Sequence, residues 1–131
     1  MDPVCVKGVL ITSDDQVVLL MNERNEWELP GGRTENGETL AECLSREFFE
    51  ELGIEVEVIA PLDSYLLEVR PGKRESVVSY GCRLVGAFVP RISLEHAQLG
   101  LFPVDALPAE LPDGYRATIL AWHARLAGSA H

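Results

Sequence analysis

Apolar positions along this chain fall into short β-like runs, interrupted by two stretches of helical period. Val4–Thr12 and Gln16–Met21 are rich in β-branched and aliphatic residues, and Ser13-Asp14-Asp15 between them predicts a hairpin. Trp27-Glu28-Leu29-Pro30 reads as a short strand ending where the chain turns at Gly31-Gly32, and Asn36-Gly37 marks another turn. Thr39 followed by Glu42 is a T-x-x-E capping box, and Gly53 is placed to end the helix that begins there. At about 100° per residue, Leu40, Ala41, Leu44, Phe48 and Leu52 share one arc and are expected in the core. Glu47, Glu50 and Glu51 occupy the adjoining arc, and Glu42 and Arg46 lie further round. Phe49 falls on that outer side, partly exposed unless a loop or a second subunit covers it, which leaves a homodimer open.

Beyond the helix, Glu55–Ala60 alternates, which places Val56, Val58 and Ala60 on one face of a half-buried strand. Ser64–Val69 and Glu75–Val89 are further β-rich runs separated by a turn at Pro71-Gly72, and Tyr115–Leu126 reads as a closing helix. Strands, helix, strands, helix in that order predict an α+β fold with a mixed sheet covered by helices on two faces. No linker, repeat or composition break divides the chain, so 1–131 is expected to form a single domain.

Charge narrows the partners. Asp and Glu number 21 against 11 Lys and Arg, a formal net charge of −10. Nucleic acids and anionic membranes both require a basic footprint, so neither is expected as a partner. Cys5, Cys43 and Cys82 are odd in number and far apart, with no C-x-x-C pair, which argues against a disulfide framework or a zinc site. There is neither an apolar run of membrane-spanning length nor a leader-like pattern, and the expectation is a soluble, cytoplasmic protein.

The chemistry lies in residues 32–54. Glu47, Glu50 and Glu51 are spaced i, i+3, i+4, so one helical side carries three like charges that repel unless something neutralises them. A hard divalent cation suits clustered oxygen ligands, magnesium first and manganese as the alternative. Such ions would also let an acidic protein accept a phosphate ester.

Gly32, Glu38, Arg46, Glu47, Phe48, Glu50, Glu51, Gly53 and Ile54 resemble the Nudix box, G-x5-E-x7-R-E-U-x-E-E-x-G-U, where U is a bulky aliphatic residue. All seven fixed identities match; Phe48 is aromatic where the family carries an aliphatic side chain. Trp27–Gly32 is similar to the family's entry into the box, and Leu101–Pro108 weakly resembles a second family stretch. The resemblance implies an α/β/α sandwich and metal-dependent hydrolysis of a pyrophosphate bond in a small-molecule nucleotide. It implies Glu47 and Glu51 as the main metal ligands, Glu50 as a direct or water-mediated one, and a carbonyl of Gly31 or Gly32 as a further oxygen. Arg46 and Glu38 are expected to bridge and steady the box. The general base is a box glutamate, Glu50, or a loop acid, for which Glu95 leads and Asp105 and Glu110 follow. For the substrate, a nucleoside diphosphate linked to another moiety, of ADP-ribose or nucleotide-sugar type, stands ahead of a (deoxy)nucleoside triphosphate. A non-catalytic ligand-binding module on the same fold is the remaining alternative.

Overall fold

A computed structural model describes residues 4–92 and 98–128. The elements are β1 (Val4–Leu10), β2 (Gln16–Met21), β3 (Trp27–Glu28), β4 (Gly31–Arg33), α1 (Leu40–Leu52), β5 (Glu55–Arg70), β6 (Lys73–Val85), β7 (Gln98–Pro103) and α2 (Asp113–Gly128). They form two sheets rather than one. The first has the order β4-β1-β6-β5, with β1 and β6 parallel and the other pairs antiparallel. The second is antiparallel, in the order β3-β2-β7.

The two helices cover two apolar clusters. On one side Leu44, Phe48 and Leu52 of α1 pack with Val6, Leu10, Val56 and Cys82. On the other, Tyr115, Ile119 and Trp122 of α2 pack with Val9, Leu29, Ala60 and Val77. β2 serves both, Val18 and Leu20 facing the first cluster, Val17 and Leu19 the second. A strand buried on both faces needs an unbroken apolar run, and Val17–Leu20 supplies one.

The box helix starts and stops where expected. Thr39 Oγ1 accepts from the Glu42 N–H at 3.1 Å, and Glu42 Oε1 accepts from the Thr39 N–H at 2.9 Å. Such a cap is worth about 1 kcal/mol. Gly53 sits in the left-handed region at φ 66° and donates its N–H to Phe49 O. The aromatic Phe48 is fully buried, so the core accommodates it.

Four expectations are corrected. The 12–16 turn forms, but only an Ile11–Val17 bridge joins its arms before β1 and β2 part into different sheets, so it is not a continuous hairpin. Ala41, in the first turn of α1, is exposed, while Cys43 is buried in its place. The runs at 55–60 and 64–69 are one bent strand, β5. Within it Val58 pairs with Cys82 and Ala60 with Gly81, so Ile59 is an extra residue. An inserted residue reverses the alternation. Val56 and Val58 therefore face α1, whereas Ala60 faces α2.

Candidate active site

β4, the loop after it and α1 bring the box residues together around Arg46. Its guanidinium meets Glu38 in a two-pronged contact through Nε and Nη2. Nη1 lies 2.7 Å from Glu50 Oε1, 3.2 Å from Glu47 Oε1 and 3.3 Å from Glu35 Oε1. Nη2 also donates to the Arg33 carbonyl at 3.3 Å. Of the two helical partners the spacing offers, Arg46 takes Glu50; Glu42 is committed to the helix cap. Glu35 is a partner that the sequence pattern did not single out, although the five-donor fork of an arginine leaves room for it.

This hub fixes charge. Hydrogen bonding from Arg46, then the N–H of Glu35, holds the Glu38 carboxyl down at about 2. The Glu38 bond in turn raises the Arg46 pKa further above its already high value, and the guanidinium is permanently charged. Because the Glu38 pKa is depressed, the stability it contributes is complete above the usual carboxylate range near 4.3. That contribution is lost as pH falls toward about 2. The gap in urea midpoint between wild type and Glu38→Gln is therefore expected to be widest at pH 6 and to shrink steadily from about pH 4.5 downward. A gap unchanged between pH 6 and pH 3 would refute the bridge.

Glu47 and Glu51 reach the Gly31-Gly32 turn by different routes. Glu51 is only 4% exposed, and one carboxylate oxygen accepts from the Gly31 N–H at 3.0 Å. It thus lies within the buried arc of α1, between Cys43 and Leu44, and not beside it. The Glu47 side chain, 16% exposed, lies against Gly32, where an added Cβ would stand 2.6 Å from Glu47 Oε1. Gly31 is required on other grounds: its φ is +145°, and a Cβ there would meet the Val6 carbonyl at 1.9 Å. The Glu50 side chain is 54% exposed and reaches solvent.

Among the described residues no three His, Cys, Asp or Glu side chains are gathered as a ready metal cage. What is present is two carboxylates, Glu47 and Glu51, meeting at a glycine turn. Magnesium keeps several waters and takes one or two carboxylates, so this donor set fits it better than it fits an ion demanding a full protein shell.

A cleft of about 430 Å³ opens at β3, the strand that leads into the Gly31-Gly32 turn, with Trp27, Glu28, Leu67, Glu110 and Tyr115 among its walls. Trp27 is braced edge-on by Phe102, with ring centroids 4.9 Å apart. Arg24 is the one cationic side chain among the lining residues, and it is engaged by Glu26 at 2.7 Å and Glu23 at 3.4 Å. Arg33 pairs with Glu75, Arg83 with Glu57, and Arg116 donates to the Pro108 carbonyl. Tyr80 packs against the core on the α1 side. Glu110 lines the cleft, whereas Asp105 lies in a separate hollow with Asp14, Asp15 and His123. Glu95 and His96 lie outside the described residues.

Lys7 escaped the pattern reading because it stands inside an apolar strand. It is 6% exposed; Nζ donates to the Leu29 carbonyl at 3.0 Å and lies 3.9 Å from Glu28 Oε2. Burial works against its charge, but the groups facing it, Tyr115, Cys5, Glu28 and Glu51, hold its pKa above the usual lysine value.

A family model described as NUDIX domain matches residues 1–123. The 8-oxo-dGDP phosphatase NUDT18 of Homo sapiens is 41% identical over 56 residues, 40% of this chain and 17% of that protein. The putative mutator protein MutT4 of Mycobacterium tuberculosis is 33% identical over 115 residues, 81% of this chain and 46% of that protein. This chain therefore spans less than half the length of either relative. The crystal structure of a MutT NUDIX hydrolase from Burkholderia pseudomallei superposes with a TM-score of 0.77 at 26% identity, covering 92% of this chain and 97% of that one. With nearly its whole length matched by the family model and its two-helix, mixed-sheet fold shared with such a structure, this chain belongs to the Nudix family.

Proposed function

We propose that this protein is a divalent-metal-dependent hydrolase that cleaves the pyrophosphate bond of a nucleoside diphosphate linked to another moiety. The observation that carries the reading is the meeting of the Glu47 and Glu51 carboxylates with the Gly31-Gly32 turn, into which β3 leads from a cleft of nucleotide size. Glu47 and Glu51 would hold the cation, magnesium in the first instance, with a Gly31 or Gly32 carbonyl and Glu50, directly or through water. The bound ion would neutralise phosphate oxygens and acidify a water.

The chain's own residues do the rest. The Gly31 N–H orients Glu51. Arg46, tied to Glu38, Glu47 and Glu50, holds the outer carboxylates at fixed distances, so little reorganisation accompanies reaction. Glu50, half-exposed and beside the ligands, is the general base among the described residues, and Glu95 is the loop alternative. The cleft takes the nucleoside, with Trp27 as one wall.

A second reading, hydrolysis of oxidised (deoxy)nucleotides, is favoured by the activity in the human relative's name. A panel assay of nucleoside monophosphate formation with Mg²⁺ over ADP-ribose, nucleotide sugars, dinucleoside polyphosphates, dNTPs and their 8-oxo forms separates the two. Highest kcat/KM on a nucleoside diphosphate derivative is the expected result. A hundredfold preference for one oxidised dNTP would transfer the assignment to the second reading, and no turnover on any of them would leave a ligand-binding module.

A further inference from the structure

Where α2 packs on the first sheet, glycines are matched with aromatic rings, except at one place. Gly114, Thr118 and Trp122 follow at four-residue intervals along one side of the helix, each step rising about 6 Å. Val77, Ser79 and Gly81 follow at two-residue intervals on one face of β6, each step about 6.7 Å. The two ladders run in step. At one end the Trp122 ring lies on Gly81, and a Cβ there would collide with it. At the other end the ring of Tyr65, the β5 partner of Val77, lies on Gly114 in the same way. Thr118 is thereby set opposite Ser79, one short side chain facing another, and both are fully buried. Packed layers stand about 10 Å apart, a gap that a ring fills and that two small hydroxyl side chains do not.

The atoms at this gap are polar. Ser79 Oγ, Thr118 Oγ1, Tyr65 Oη and Trp122 Nε1 are buried and have no hydrogen-bond partner among the described residues. A buried donor or acceptor left bare is costly and rare, and four on one helix–sheet contact call for a shared partner. Burial drives the Tyr65 phenol pKa up, and the Ser79 hydroxyl is the neighbour that most offsets it, so the two oxygens stand close without being joined.

We infer that this gap is a binding site for a water molecule, held by the hydroxyls of Ser79, Thr118 and Tyr65 with the Trp122 indole N–H beside them. Water is what the chemistry selects. The indole only donates, while each hydroxyl donates and accepts, so a small ligand able to do both completes the set. About three hydrogen bonds hold a typical buried water. An ion is not matched, because none of the four groups is charged. The water ties β5, β6 and α2 together behind Tyr115, which meets Tyr65 edge-on at 6.4 Å and forms part of the cleft wall.

The test is a crystal structure of the full chain at a resolution that shows ordered water. A water peak within hydrogen-bond distance of at least two of the three hydroxyls is expected. It should persist in Thr118→Ser, which keeps the hydroxyl, and be lost in the double variant Ser79→Ala/Thr118→Val, which leaves only Tyr65 and the indole. In solution, oxygen-17 relaxation dispersion counts long-lived internal waters, and that count should fall by one in the double variant. Where the double variant fails to fold, the wild-type and Thr118→Ser structures decide. Hydroxyls bonded directly to one another with nothing between them, an empty gap, or an unchanged water count in the double variant would overturn the inference.

Discussion

Removing divalent cations is expected to abolish turnover on the best substrate, and restoring Mg²⁺ should recover it in full. The reason lies in how the charges are committed. A pyrophosphate approaching the box meets Glu47, Glu50 and Glu51 on one side of α1. The cations nearest to it are occupied: Arg46 by Glu35, Glu38, Glu47 and Glu50, and Lys7 by Glu28 and the Leu29 carbonyl. With neither side chain released toward the substrate, phosphate and carboxylates repel one another, and only an added ion reverses the sign of the local field. The same ion should stabilise the folded chain. By linkage, a concentration one hundred times Kd contributes about 2.7 kcal/mol, which a melting curve reads as a rise of several degrees. Undiminished turnover in excess EDTA would sink the metal reading, and an unchanged Tm on adding Mg²⁺ would place any ion elsewhere than on the folded box.

Much of this site was legible because its determinants are local. The Thr39–Glu42 cap, the Gly53 stop and the three glutamates lie within fifteen residues, and helical geometry alone puts Glu47, Glu50 and Glu51 together. What sequence could not supply depends on distant partners. Glu51 is buried because the Gly31 N–H, twenty residues away, supplies a hydrogen bond that offsets the loss of water. Ala60 faces α2 because one extra residue, Ile59, enters β5 opposite β6, and a bulge leaves no mark in an alternating pattern. The second sheet was missed as a sheet because β2 is apolar on both faces and its long partner β7 begins in residues given no element and ends in the weak family stretch that starts at Leu101. Lys7 was passed over for a related reason: a lone lysine in a strand usually marks the solvent face, and here its partner Glu28 comes from another strand.

Substituting the carboxylates separately tests the assignment of roles on α1. Glu51→Gln and Glu47→Gln keep shape and remove charge, and each is expected to lower kcat by about 10²–10⁴-fold, the range for loss of a group acting in the transition state. Their structural costs should differ. The Glu51 oxygen that accepts from Gly31 can be kept by the Gln carbonyl, but one of the carboxylates facing the buried Lys7 is lost, so Glu51→Gln should lower stability as well as kcat. Glu47→Gln leaves one fewer anion on Arg46, a small change while Glu35, Glu38 and Glu50 remain. Glu50→Gln should fall between these and the control if it serves as base, with the loss in kcat larger than any change in KM. Glu42→Gln is the control: its side chain closes the helix cap, an oxygen remains to accept the Thr39 N–H, and activity should stay near that of wild type. Steady-state kinetics alongside urea unfolding of all four variants gives the comparison. If Glu42→Gln lost as much kcat as Glu51→Gln at equal stability, the carboxylates facing the Gly31-Gly32 turn would not be the ones that hold the ion.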